Sequence, residues 1–316
     1  MKLDQKYLPY SKYLKDKYGE KVYKIPVNIP VSCPNRDGNC GTGGCIFCGE
    51  VGAGFEALPN DMTVANQLRE NIKKIAPKYK AKKFIAYFQN FTNTYMPIDF
   101  FEKYMREACI EDIVEICISS RPDCINDDYL DILKKIEEEK GVNITIELGL
   151  QTVNYHTLKK INRGHGLAEY IDAVLRIKKY GFAMCTHFIA NLPWDNDEDL
   201  IEAAKIVSIL GMDQVKLHSL FILRDTVMGD MYENNEFEIC SLEEYVNRVV
   251  MFIRHTKEDI AFQRFVGRAP ADRTLFCNWS TSWWKIKDMV DELMEQGGYK
   301  QGDLYNYVNG PALKKL

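Results

Sequence analysis

The chain has no apolar run near the roughly 20 residues that a membrane-spanning helix needs, so a helical span is excluded. Its opening stretch, MKLDQKYLPYSKYLKDKYGEK, lacks an apolar h-region, and no secretory signal is expected. Positive charge is also short: 41 Lys and Arg against 45 Asp and Glu leave a net charge of −4. No global field therefore draws the protein to nucleic acid, although a local basic patch stays open. No G-x-G-x-x-G follows the first apolar stretch, which weakens a dinucleotide-binding Rossmann reading. These absences place the chain in the cytosol, with no membrane partner. Thiols there stay reduced, and a disulfide framework is a poor use of cysteine.

Yet cysteine is what the sequence has, ten in 316 residues. Cys109, Cys117, Cys124, Cys185, Cys240 and Cys277 are scattered, mostly in apolar surroundings such as EICISS and FAMCTHF. A lone cysteine there is ordinarily a small buried hydrophobe. The other four lie within CPNRDGNCGTGGCIFC, residues 33–48, on a loop with four glycines. The spacing is Cys33-x11-Cys45-x2-Cys48, with Cys40 inside the long gap. A redox C-x-x-C has no need of Cys33. A structural zinc site wants four ligands and usually two C-x-x-C knuckles, of which the loop has one. A site-differentiated iron–sulfur cluster needs three thiolates and leaves one iron for another ligand. Spacing alone does not separate zinc from cluster.

The rest of the chain alternates β-branched apolar stretches with stretches of helical period. Strands are expected at 24–32, 82–89, 112–120, 143–151, 181–190 and 213–221. Helices are expected at 61–75 (capped by Asp61), 97–109, 126–140, either side of 161–166, and 197–210. Six βα repeats with short loops imply an α/β protein, a parallel sheet with helical crossovers that curls into a partial (β/α)6 TIM-like barrel. Residues 1–225 would form this core, and 226–316 a C-terminal α/β extension packed on it, including a helix at 242–256 and a further strand at 259–267. Chemistry in βα barrels collects at the C-terminal strand ends. Those ends are polar here: Cys33, Gln89-Asn90, Ser119-Ser120-Arg121, Glu147, Gln151, His187, Asn191 and His218. His187 and His218 could each be a hydrogen-bonded core histidine. Glu147, inside ITIELGL, is sharper, because an unpaired carboxylate among apolar residues is rarely tolerated. Arg264, Arg268 and Arg273 with Trp279, Trp283 and Trp284 could hold a phosphate, a carboxylate or a stacked base, or the tryptophans could simply pack. The lysines of KKIAPKYKAKK (73–83) suit a solvated face, with RNA phosphates as the other option.

A three-cysteine loop after the first strand of a partial βα barrel resembles the radical-SAM superfamily. The first gap of eleven residues departs from the usual three, but long gaps occur in the branch that includes the Elongator catalytic subunit. SRPDC (120–124), ELGLQTVNYHTLKKINRGH (147–165) and HFIANLP (187–193) resemble that branch. YFQNFTNTY (87–95), the cysteine loop and KLHSLFILRDT (216–226), with RFVGRAPADR and WSTSWW, are similar to a bacterial radical-SAM group of unassigned substrate. ANLPWD departs from the GLPGE usual at its position.

The resemblance implies a [4Fe-4S] cluster held by Cys33, Cys45 and Cys48, with Cys40 not a ligand. It implies S-adenosylmethionine as the second cofactor, cleaved reductively to a 5′-deoxyadenosyl radical that abstracts hydrogen from an unidentified substrate. Phe47 would lie near the adenine. Asn90, Thr92 and Asn93 would meet the amino group, and Ser119 and Arg121 the ribose. Gln151 and Arg163 would also contact the cofactor, Arg163 through its carboxylate. Glu147 and His187 complete the expected cofactor-binding set. An electron donor such as flavodoxin or ferredoxin is implied, and the substrate is a small molecule, a peptide or an RNA base. A zinc-stabilised binding protein is the rival from another class.

Overall fold

The near-continuous apolar runs in KFIAYF and IVEICISS make strands whose two faces are both covered. A computed structural model describes residues 6–49, 57–270 and 272–315. In chain order its elements are α1 (Tyr10–Tyr18), β1 (Val22–Val27), α2 (Val64–Tyr79), β2 (Lys83–Phe88), α3 (Ile98–Glu107), β3 (Ile113–Ser120), α4 (Asp127–Lys140) and β4 (Asn143–Gln151). Then follow α5 (Tyr155–Lys160), α6 (Leu167–Tyr180), β5 (Ala183–Ile189), α7 (Asp197–Ile209), β6 (Gln214–His218) and β7 (Phe221–Leu223). The last are α8 (Val227–Glu233), α9 (Leu242–His255), β8 (Ala261–Arg264), β9 (Thr274–Cys277) and α10 (Trp283–Gln296).

Among the described residues, seven strands form one sheet in the order β1-β2-β3-β4-β5-β6-β8. The pairings β1·β2, β2·β3, β3·β4 and β6·β8 are parallel. The sixth repeat is thus followed by a seventh strand, β8, from the stretch the sequence assigns to the extension. β7 and β9 form a separate antiparallel pair. The chain divides into two compact units: Ser11–Leu150 with Asn162–Cys185, and Met1–Tyr10, Gln151–Ile161 and Thr186–Leu316. No helix among the described residues is long and apolar enough to cross a membrane.

In the first unit one face of β3 carries Ile116 and Ile118, both fully buried, as are Phe101 and Met105 on α3 and Leu130 on α4. Period 2 turns Glu115, Cys117 and Ser119 to the opposite face. In register beside them, β4 presents Thr145 opposite Cys117 and Glu147 opposite Ser119. In the second unit α9 has a capping box, with Ser241 Oγ accepting from Glu244 N–H at 3.1 Å. Its Tyr245, Val249, Phe252 and Ile253 are buried.

Several boundaries differ from the sequence reading. The strand expected at 213–221 is broken: β6 ends at His218, and Phe221–Leu223 form β7 in the separate pair with β9. β1 ends at Val27 and does not reach Cys33, because Gln67 takes both backbone groups of Asn28: Oε1 accepts its N–H at 2.9 Å and Nε2 donates to its carbonyl at 2.8 Å. α2 is capped by Thr63, whose Oγ1 accepts from Asn66 N–H, rather than by Asp61; it runs through Pro77 to Tyr79.

Candidate metal centre

The cysteine loop is folded by its own backbone. Arg36 N–H donates to Cys33 O at 2.8 Å, Cys40 N–H to Pro34 O at 2.8 Å, Gly44 N–H to Asn35 O at 2.8 Å, and Cys48 N–H to Cys45 O at 2.9 Å. Asn35 is the hub. It is fully buried, its Nδ2 donates to Asn162 O at 2.5 Å, and the same nitrogen lies 3.8 Å from Cys45 Sγ. Its Oδ1 sits where a Cβ on Gly41 or Gly164 would fall, at 2.5 and 2.7 Å, so both approaches require glycine. Asn162 in turn donates Nδ2 to Gly44 O at 2.8 Å, which ties the turn between α5 and α6 to the loop.

Three arginines converge on this loop. Arg163, 7% exposed, places Nη1 3.5 Å from Cys45 Sγ and donates Nη2 to Gly149 O at 2.5 Å. Arg121, 2% exposed, forks onto Asp123 at 2.9 and 2.7 Å and keeps Nη1 4.0 Å from Cys33 Sγ. Arg36 donates Nη2 to Cys48 O at 3.0 Å and Gly49 O at 2.5 Å. Burial disfavours the Arg121 charge, and Asp123 more than offsets it. Burial pushes the Cys48 thiol up, with Cys45 adding and Arg36 opposing. His165, two residues after Arg163, is driven down to about 3, first by burial and then by the Arg163 charge, so its imidazole is neutral.

Cys45 is buried, Cys33 and Cys48 half-buried, and Cys40 exposed.

The loop after β2 offers polar atoms with nothing to bind. Asn90 Oδ1, Thr92 Oγ1 and Asn93 Oδ1 are buried without a hydrogen-bond partner among the described residues. Their residues are at most 4% exposed. Asn90 is held through Nδ2 by Asn28 Oδ1 at 2.6 Å, and Asn93 Nδ2 donates to Ser119 O at 2.8 Å. Buried polar atoms left open in this way call for an added partner. Phe47 is half-buried in the C-x-x-C turn.

Other expected residues fall differently. Glu147 is not an unpaired carboxylate: Lys24 Nζ lies 2.5 Å from Oε1, and Ser119 Oγ 3.4 Å from Oε2. Lys24 also stands 4.5 Å over the Tyr87 ring. Gln151 closes β4 at φ 80° and lines a small cleft with Thr152, Asp195 and Asp199. His187, half-buried on β5, has its ring 5.3 Å from that of His218. Sequence reasoning missed Asn35, Arg36, Asn162, His165 and Lys24. Asn35 and Arg36 stood inside the cysteine loop, but burial of an asparagine has no sequence signal.

Residues 33–207 match the Radical SAM superfamily, and residues 212–296 the Radical SAM C-terminal domain. The chain is 32% identical over 303 residues to YtqA of Bacillus subtilis (strain 168), covering 96% of this chain and 94% of that one. It is 31% identical over 283 residues to YhcC of Escherichia coli (strain K12), covering 89% and 90%. Its fold is similar to that of archaeal Methanocaldococcus infernus Elp3 lacking residues 1–46, with a TM-score of 0.66 at 17% identity. That comparison covers 89% of this chain and 64% of the longer Elp3 chain. The likeness agrees with the expected α/β class of parallel strands and helical crossovers. The chain belongs to the radical SAM superfamily.

Proposed function

We propose that the protein is a radical SAM enzyme whose Cys33, Cys45 and Cys48 hold a [4Fe-4S] cluster, with S-adenosylmethionine bound beside it. The carrying observation is the loop itself: three cysteines with Arg163 and Arg121 turned toward two of the sulfurs. When bound, the cluster supplies the electron that cleaves S-adenosylmethionine to methionine and a deoxyadenosyl radical able to take hydrogen from a substrate. Arg163 and Asn35 donate N–H groups toward Cys45 Sγ and stabilise negative charge there. Asn90, Thr92 and Asn93 offer their open buried atoms to the polar groups of S-adenosylmethionine. Ser119 and Arg121 serve its ribose side, and Phe47 its adenine. Gln151, Glu147 and His187 remain in the proposed cofactor set. Asp123 keeps Arg121 in place and charged.

Anaerobic reconstitution tests the reading. About four irons per chain, absorbance near 400 nm and deoxyadenosine formed with dithionite, or with a flavodoxin or ferredoxin donor, are expected. One bound zinc without colour would sink it in favour of a zinc-stabilised binding protein. For the substrate, the net charge of −4 favours a small molecule or peptide. RNA base modification is a second reading, favoured by Trp283 and Trp284, each 50% exposed at the start of α10. Exposed rings of this kind stack on bases. RNA affinity that falls with salt and drops in Trp284→Ala would establish it; salt-independent or undetectable binding would remove it.

A further inference from the structure

The turn between α5 and α6 carries a histidine that the cysteine loop holds in place. Asn162 accepts from Asn35 Nδ2 through its carbonyl at 2.5 Å and donates its own Nδ2 to Gly44 O at 2.8 Å. Gly164 packs against Asn35 and the Arg121 guanidinium: a Cβ there would fall 2.7 Å from Asn35 Oδ1 and 3.3 Å from Arg121 Nη2. The next residue, just before the N-cap Gly166 of α6, is His165, 7% exposed. Its Nδ1 lies 3.3 Å from Gly166 O. A carbonyl oxygen only accepts, so Nδ1 carries the ring proton and Nε2 the lone pair. That Nε2 is buried with no hydrogen-bond partner among the described residues. A buried acceptor left open costs stability and calls for an added donor. Burial first, and then the Arg163 charge, keep the imidazole neutral, so Nε2 remains an acceptor at neutral pH. The Arg163 and Arg121 charges act on the ring against that of Asp123. Two arginines against one aspartate leave positive surroundings, which disfavour an ammonium as the missing donor and favour a neutral group.

We propose that His165 accepts, through Nε2, a hydrogen bond from a ribose hydroxyl of S-adenosylmethionine, and so selects the ribonucleoside over its deoxy counterpart. A hydroxyl suits the place better than an amino group on the adenine, because it donates to Nε2 and accepts from a neighbouring guanidinium at once. The assignment deepens the radical SAM reading and rests on it.

The test uses the full chain, reconstituted with its cluster and kept without reductant so that nothing is cleaved. Anaerobic calorimetry measures binding of S-adenosylmethionine and of its 2′-deoxy and 3′-deoxy forms. Wild type should bind one deoxy form at least about fivefold more weakly, in line with one lost neutral hydrogen bond. His165→Phe should bind S-adenosylmethionine weaker by a similar factor and no longer discriminate against that deoxy form. His165→Gln, which keeps an acceptor, should recover part of the discrimination. A merely structural role would weaken all three ligands alike and leave the discrimination intact. Where circular dichroism shows that His165→Phe does not fold, His165→Asn, whose amide is shorter than the imidazole, takes its place with the same expectation. Equal binding of all three ligands by wild type, or undiminished discrimination in the variant, would overturn the assignment. Zinc taken up in place of iron, or an iron-loaded chain that binds no S-adenosylmethionine, defeats the radical SAM reading and the assignment with it. An iron-loaded chain that forms deoxyadenosine but shows no coupling between His165 and the ribose defeats the assignment alone.

Discussion

At the scale of single residues, the cysteine loop gives two of its thiols different surroundings. Cys40 is exposed and Cys45 buried beside Arg163 and Asn35. Iron analysis of reconstituted variants should find full content in Cys40→Ala and a lost cluster in Cys45→Ala. The Lys24–Glu147 pair makes a second prediction. Glu147 is fully buried, and Lys24→Met removes its lysine counter-charge. Removing one partner of a buried pair costs about 3–5 kcal/mol, which urea denaturation would measure. Replacing both, Lys24→Met with Glu147→Leu, should recover most of the loss. A double variant as unstable as the single one would show that the pair is not the source.

At the scale of elements, local signals placed most segments. The bounds of β4 coincide with the expected 143–151, and α4 starts where Asn126 caps it. One miss came from a competitor far along the chain, another from a choice between neighbours. β1 stopped early because Gln67, 39 residues away, binds Asn28. The start of α2 was misplaced because both Asp61 and Thr63 are good capping types, and only geometry chose the threonine. Thr63→Ala should therefore destabilise by about 1 kcal/mol while Asp61→Ala changes little, read from urea midpoints. No local pattern signals that 261–264 joins the main sheet, since strand pairing is a long-range choice.

Over the whole molecule, two buried groups give opposite slopes of stability with pH. His165 falls from 6.5 to about 3 on folding, chiefly through burial. The unfolded chain takes up its proton below pH 6.5 and the folded one does not. Stability is therefore lost as pH falls from 6.5 toward 3, by at most about 1.4 kcal/mol per unit. Asp195 rises from 3.8 to about 6, again chiefly through burial. The unfolded chain releases this proton first, so stability is lost as pH rises from 3.8 to 6. Between these limits the two oppose each other. Unfolding midpoints at several pH values should show His165→Gln losing stability as pH rises through that window. Asp195→Asn should lose it as pH falls below 6.5. Parallel profiles for the two variants would refute the assignment.

Local patterns were enough to identify the class of protein. Period-2 and period-3.6 patterns lie within single segments, and three cysteines on a glycine-rich loop lie within sixteen residues, so local reading reaches them. Tertiary structure alone decided which polar groups meet. Asn35 beneath Cys45, Arg163 and Arg121 against the sulfurs, Lys24 on Glu147, and Lys216 beside Arg264 join positions far apart in the chain. Those pairings follow from parallel register and burial, and a linear pattern of residue types contains neither.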